Sequence, residues 1–166
     1  MSSVLIEPIQ CLKDLVSLQK EGELAIQAYI QDVLERAGLS TRYFDYTPSK
    51  VPVKGEFSAS NEVLEIPRRA LVCETNGDPE YPSLLIFAHP DSEPVNGSEL
   101  WSSDPFMPNE KTGKLYGWGV ADDLAGCACA ISAIQNVFKN NRDNFGNVIF
   151  ASTPSKNFAR GVSAVS

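Results

Sequence analysis

Four side chains carry the main chemical potential of this sequence: His89, Asp91, Asp122 and Asp123. His89 is the sole histidine, and it closes the apolar run Leu84-Leu85-Ile86-Phe87-Ala88, with Asp91 two residues further on. An imidazole is a common metal ligand, and a ligating imidazole usually gives its other ring N–H to a carboxylate, a carbonyl or water. Asp91 is the candidate for that orienting carboxylate. Asp122 and Asp123 follow the turn Gly117-Trp118-Gly119 and open a long apolar stretch. Carboxylates at a helix start complement its dipole, but at the lip of an apolar element they need a cation or several donors, because uncompensated burial is expensive. A divalent metal would meet that need, and one carboxylate can bridge two metals about 3.5–4 Å apart. A plainer alternative stays open, in which His89 and Asp91 form a hydrogen-bonded loop end and the two aspartates serve only the dipole.

The elements that must hold these residues follow from periodicity. Ile9, Leu12, Leu15, Val16 and Leu18 recur at helical spacing after Pro8, which suits a first helical turn. A second amphipathic helix runs from Leu24 to Ala37, with Gly38 placed to close it. Leu39 to Tyr46 alternates like a strand, and Thr47 to Arg69, punctuated by Pro48, Pro52, Gly55 and Pro67, predicts loop with one edge strand. Ala70 to Glu74 is a strand ended by Asn76-Gly77-Asp78-Pro79. The continuous apolar run from Ser83 to Ala88 predicts a strand covered on both faces, as in the middle of an α/β sheet. Asp91 to Asn109 is a long irregular segment, a kind that is usually functional, and Lys111 to Lys114 is a tight turn. From Asp122 to Phe138 the chain predicts a largely buried helix, followed by a buried strand at Asn147 to Ala151. Strand, helix and strand in that order predict an α/β fold with three layers, a mixed, mostly parallel sheet flanked by helices. No internal repeat or low-complexity tract interrupts it.

With 166 residues the chain fits one domain with a substantial core, and 43% apolar with 21% charged residues is ordinary globular composition. A formal net charge of −7 argues against nucleic acid or an anionic membrane as partner. The N-terminal residues lack the basic and apolar regions of a signal peptide, and no stretch approaches the roughly 18 apolar residues of a membrane span, so a cytoplasmic location is expected. Cys11, Cys73, Cys127 and Cys129 have neither disulfide nor zinc-knuckle spacing and are expected to be reduced core thiols.

The runs His89-Pro90-Asp91, Trp101-Ser102-Ser103-Asp104-Pro105-Phe106 and Gly113-Lys114-Leu115-Tyr116-Gly117-Trp118-Gly119-Val120-Ala121-Asp122-Asp123 resemble the M20 family of metallopeptidases and amidohydrolases. That family includes aminoacylases, acetylornithine deacetylase, succinyl-diaminopimelate desuccinylase and carboxypeptidase G2. The resemblance covers Ile9 to about Gly161, which corresponds to the N-terminal part of a zinc-exopeptidase catalytic domain without the lid or dimerisation domain. It implies metal-dependent hydrolysis of peptide or N-acyl-amino-acid amides, with zinc as cofactor. By resemblance, His89 ligates one zinc, Asp91 orients it, and Asp122 bridges two metals and is joined to Asp123 by what is often a cis peptide.

The same resemblance exposes departures. Where the family carries Glu-Glu, a general base and a zinc ligand, this chain has Lys156-Asn157, and Trp118 stands where arginine is usual. A lysine there opposes nearby divalent metals, and an amide is a poor substitute for carboxylate or imidazole. The chain stops at Ser166, ahead of the family's later acidic and histidine ligands. His89 and Asp122 alone make a weak site, since structural zinc sites use four protein ligands and catalytic sites three. The expectation is a single truncated domain over residues 1–166, divergent and not hydrolytic as a single chain. Two alternatives stand beside it. One is a hydrolase completed by a homo-oligomer or a separately encoded second half. The other is a binding or scaffold protein, or a repurposed metal-independent enzyme, taking a small-molecule or peptide ligand in a cleft near Trp101, Phe106 and Trp118.

Overall fold

The computed structural model describes residues 5–51, 65–140 and 145–154. Helix α1 spans Pro8–Leu18, where Pro8 at the first turn sacrifices no helical hydrogen bond, and its inward stripe is Cys11, Leu12, Leu15 and Val16. After a short 3₁₀ turn, α2 spans Glu23–Arg36 and buries Ile26, Gln27, Ile30, Val33 and Leu34. Its end is a Schellman closure: Gly38 sits at φ +89°, its N–H reaches the Glu35 carbonyl at 2.9 Å, and the Leu39 N–H reaches the Leu34 carbonyl at 3.2 Å.

Strands β1 (Ser40–Tyr46), β2 (Arg68–Glu74), β3 (Leu84–Ala88) and β6 (Val148–Ser152) form one sheet in the order β1-β2-β6-β3. Strands β4 (Asn109–Lys111) and β5 (Lys114–Tyr116) make a separate hairpin across Thr112 and Gly113, both at positive φ, as a two-residue hairpin turn requires. Helix α3, Ala125–Asn140, lies between β5 and β6 in the chain. Because β3 and β6 pair in parallel, the strand, helix, strand order does produce the expected crossover.

The architecture is α/β with a mixed sheet and helices, as expected, but the balance differs. Among the described strands of the main sheet, β1–β2 and β2–β6 are antiparallel and only β3–β6 is parallel, so the sheet is not mostly parallel. The described helices touch one another and share one core cluster with the sheet, so they form a single layer on one face. Leu71, Cys73, Phe150 and Ala88 face that layer and are buried. Two layers are therefore described where three were expected.

The strand β3 departs furthest from expectation. Rather than lying mid-sheet, it is the edge of the described sheet, and Leu84, Leu85 and Phe87 are 54, 61 and 63% exposed. Helix α3 is also less enclosed than predicted: Cys127, Ala128, Ile131 and Ile134 are buried, whereas Cys129, Ala133 and Asn136 face outward. Cys11, Cys73 and Cys127 are the buried free thiols expected, and Cys129 is free but exposed. The edge strand expected between Thr47 and Arg69 falls on a segment of which residues 52–64 lie outside the described residues. No described helix is long and apolar enough to cross a membrane.

Candidate metal centre

β3 ends at Ala88, so His89, Pro90 and Asp91 leave the sheet in irregular backbone and the strand alternation no longer sets their directions. His89 is held by main chain rather than by the expected carboxylate. Its Nδ1 lies 3.0 Å from the Asp91 carbonyl oxygen and 3.7 Å from Asp91 Oδ1, which is too long for a hydrogen bond. A carbonyl only accepts, so Nδ1 carries the proton in this contact. In the neutral ring Nε2 then keeps its lone pair, and in the imidazolium it carries a second N–H.

What Nε2 meets is Asp122. Its separation from Asp122 Oδ1 is 3.0 Å, across 33 residues of sequence. An imidazole lone pair and a carboxylate oxygen repel unless a proton or a metal cation stands between or beside them. Two zinc ligands with bonds of about 2.0–2.1 Å lie roughly 2.9–3.4 Å apart at coordination angles of about 90–109°. The pair therefore fits an imidazolium–carboxylate ion pair, and equally one edge of a metal coordination shell. The His89 side chain is 14% exposed and that of Asp122 67%, so the pair sits at a rim open on the aspartate's side.

The turn that delivers Asp122 is shaped by close approach. Gly119, at φ +71°, brings its backbone so near the Ser92 hydroxyl that a Cβ would collide with it. Val120–Leu124 form an irregular helical turn with Asp122 and Asp123 at non-helical angles, and the Asp122–Asp123 peptide is cis, as the resemblance implied. Asp123 folds its carboxylate against Gly126 in the first turn of α3, where any Cβ would strike it. The two adjacent carboxylates thus part company: Asp122 faces His89, and Asp123 faces the helix.

The aromatic residues near the rim are structural anchors first. Trp118 Nε1 donates to the Glu93 carbonyl at 2.6 Å, its main-chain N–H donates to Pro105 at 2.7 Å, and its own carbonyl accepts from Gln19 Nε2 at 2.9 Å. Trp101 packs edge-on to it with ring centroids 5.9 Å apart. Lys20 pairs with Asp104 at 2.6 Å and lies 5.9 Å from the centre of the Phe106 ring. These contacts tie the 92–118 loop to the α1–α2 junction. They also wall a cavity of about 270 Å³ that Asp91, Glu93, Phe106 and Trp118 share with Glu23 and Arg68.

Glu23 and Arg68 were not singled out from sequence. They form an ion pair of 2.8 Å with side chains only 14 and 13% exposed. Burial pushes the Glu23 carboxyl upward, and the Arg68 guanidinium works against that shift. An acidic residue in a helix's first turn signals only a dipole partner, so sequence held no sign of the pair. Gln27 and Gln135, both fully buried, are its neutral counterparts, each using its side-chain amide to bridge elements. Gln135 donates to the Val33 carbonyl and accepts from the Ile6 N–H, and Gln27 donates to the carbonyls of Arg69 and Ser152.

Among the described residues no group of three or more His, Cys, Asp and Glu side chains is arranged to hold a metal. His89 and Asp122 are brought together, Asp91 supports His89 through its carbonyl, and Lys156-Asn157 lies outside the described residues.

Residues 85–157 match the Peptidase family M20/M25/M40. Succinyl-diaminopimelate desuccinylase of Rickettsia canadensis is 34% identical over 149 residues, covering 87% of this chain and 34% of the relative. N-formyl-4-amino-5-aminomethyl-2-methylpyrimidine deformylase of Bacillus subtilis is 30% identical over 151 residues, covering 88% of this chain and 32% of the relative. The chain thus spans about a third of the length of these curated relatives. Human carnosine dipeptidase 1 superposes with a TM-score of 0.68 at 22% identity, over 87% of this chain and 31% of that one. The M20 family metallo-carboxypeptidase Sso-CP2 of Sulfolobus solfataricus gives 0.64 at 19% identity, over 89% and 30%. At these identities the superpositions speak for the fold. The motifs around His89 and Asp122, the matched segment and the two enzymes together show that this chain is similar to the M20 peptidases and amidohydrolases over the N-terminal part of their catalytic domain.

Proposed function

We propose that the chain supplies the His89–Asp122 part of an M20-type, metal-dependent amidohydrolase site, and that residues 1–166 alone do not complete the reaction. The observation that carries this is the 3.0 Å approach of His89 Nε2 to Asp122 Oδ1, with Nδ1 already committed to a carbonyl. Zinc held by those two atoms would supply Lewis-acid polarisation of a scissile carbonyl and acidification of a water. The protein's part is to present Nε2 as a lone-pair donor through the Asp91 carbonyl, and to hold the Asp122 carboxylate at the rim by the turn after Gly119. The substrate class is the amide of an N-acylated amine or a peptide, in keeping with a desuccinylase and a deformylase among the relatives.

The lack of turnover by the isolated chain rests on the ligand count and on Lys156-Asn157. Two protein ligands fall short of the three of a catalytic zinc site, and neither lysine nor asparagine provides the carboxylate base the resemblance calls for. The remaining ligands would come from outside residues 1–166. Calorimetric zinc titration of residues 1–166, beside assays on N-succinyl and N-formyl amines, tests the whole reading. Weak zinc binding that His89→Ala or Asp122→Ala abolishes is expected, with no turnover. Zinc uptake indifferent to both substitutions removes the metal site, and turnover by the chain alone removes the claim of incompleteness.

A ligand-binding role without hydrolysis rests on a different feature, the cavity walled by Trp118 and Phe106. It predicts small-molecule binding that survives His89→Ala and fails in Phe106→Ala.

A further inference from the structure

The chain carries a formal net charge of −7, yet one face of the β4–β5 hairpin is basic. Side chains alternate along both strands, and the register pairs Asn109 with Tyr116, Glu110 with Leu115 and Lys111 with Lys114. Glu110 and Leu115 form the inner face: Leu115 packs on the core cluster, and Glu110 pairs with Lys13 of α1 at 2.8 Å. Asn109, Lys111, Lys114 and Tyr116 therefore share the outer face, and all four are exposed. Two ammonium side chains stand directly across from each other there, an arrangement that is destabilising on its own. Among the described residues no carboxylate pairs with either of them.

This face is one wall of a cavity of about 320 Å³, lined by Asn109, Lys111 and Tyr116 from the hairpin and by Trp101, Ser102 and Ser103 from the loop before it. Among the described residues the hydroxyls of Ser102, Ser103 and Tyr116 and the Asn109 amide have no hydrogen-bond partner, so the cavity is rich in uncommitted polar groups. At its lip Thr112 holds φ +51°, a left-handed conformation costly for a β-branched residue, where Asn or Gly would serve a two-residue turn at less strain. Two ammonium groups match a dianion, and the hydroxyls beside them match a group with three acceptor oxygens; a phosphomonoester is both. The rings of Trp101 and Tyr116 offer a flat apolar surface, and the Asn109 amide both donates and accepts, which suits the C–H face and the hydroxyls of a sugar. The volume lies at the small end of the range for ligand pockets, so the body is the size of a monosaccharide. We propose that the hairpin face and the preceding loop bind a monosaccharide phosphate, with Lys111 and Lys114 on the phosphate and Trp101, Tyr116 and Asn109 on the sugar. The site is independent of the metal centre: Trp101 meets Trp118 of the rim cavity with ring centroids 5.9 Å apart, but the two cavities have no lining residue in common.

The test is an amide-resolved NMR titration of residues 1–166 without metal, at constant ionic strength. The probes are ribose-5-phosphate, glucose-6-phosphate, the two free sugars, inorganic phosphate and inorganic sulfate. Expected are saturable shifts confined to residues 101–116 with at least one sugar phosphate, and about 10-fold weaker binding of its free sugar and of inorganic phosphate. Lys111→Ala/Lys114→Ala should weaken the sugar phosphate by about 10-fold as well. Tyr116→Ala should weaken the sugar phosphate and leave inorganic phosphate unchanged, a split that a purely electrostatic patch does not produce. Should the double lysine variant differ from the parent in circular dichroism, Lys111→Gln reads the same contact. No saturable shift with either sugar phosphate, an equal response to sulfate, shifts centred on His89 and Asp122, or a titration indifferent to the lysine substitutions overturns the proposal.

Discussion

The two faces of the central sheet are built from the same strands and similar side chains, yet they do different work. On the helix side Leu71, Cys73 and Phe150 are fully buried, and Ile86 and Ala88 of β3 join them. On the other side Leu85 and Phe87, the alternate residues of the same strand, stand mostly exposed. Alternation along a strand decides which side chain goes where, but whether a face counts as core is decided by what lies on it. Stability belongs to the first face.

The sharpest way to break that contrast is Phe150→Ala. Deleting a fully buried ring from the covered face should destabilise the chain by about 3–5 kcal/mol in a urea titration. A loss below about 1 kcal/mol would mean that this face is not the core.

How much of this could be read in advance follows from the same contrast. The helices were legible because α1 and α2 alternate apolar and polar at helical spacing and Gly38 marks the exit of α2. The tight turn was legible because Gly113 readily adopts positive φ; that Thr112, a β-branched residue, does so too was not. That His89 and Asp122 lie together was legible only through the resemblance of their motifs to the M20 family. The run Leu84–Phe87 misled because it is apolar on both faces, which predicts cover on both whether or not the cover is present. Asp91 meets His89 through its carbonyl because the strand, and with it the alternation of side chains, ends at Ala88. The Glu23–Arg68 pair joins residues 45 apart, and nothing local in either segment announces the other.

A second prediction sharpens the contrast through pH. Burial pushes the thiols of Cys11, beneath α1, and Cys73, on the covered face of β2, up to about 12. With the folded pKa raised, the unfolded chain releases these protons first. Stability is therefore full below about pH 9 and is lost as pH rises towards 12, each thiol costing on the order of 2–3 kcal/mol by pH 11. Thermal melts at pH 8, 10 and 11 should show the fall. Cys73→Ala should flatten it, and an unchanged slope in that variant would detach the effect from the covered face.

Smaller again is the joint between the covering layer and the sheet. Gly38 carries the chain from α2 into β1 at φ +89°, and a Cβ there would meet only the Phe138 ring at an ordinary 3.6 Å. The penalty for Gly38→Ala is then backbone strain alone, about 1 kcal/mol. A Gly38→Asn variant, better tolerated in the left-handed region, should recover part of it in the same urea titration.

The smallest effects belong on the open face. Arg42 lies 5.0 Å from the centre of the Phe44 ring and pairs with Glu74, all of them solvent-accessible, so Arg42→Ala should cost under about 1 kcal/mol. Phe87→Ser should change the stability of the isolated chain by no more than about 0.5 kcal/mol, because at 63% exposure the ring gives up little burial. The value of Phe87→Ser lies in pairing it with Phe150→Ala. If the loss at Phe87 approached that at Phe150, the two faces would contribute alike to stability and the contrast between them would fail. A near-silent Phe87→Ser beside a costly Phe150→Ala is the signature of a sheet whose stability comes from the helix side.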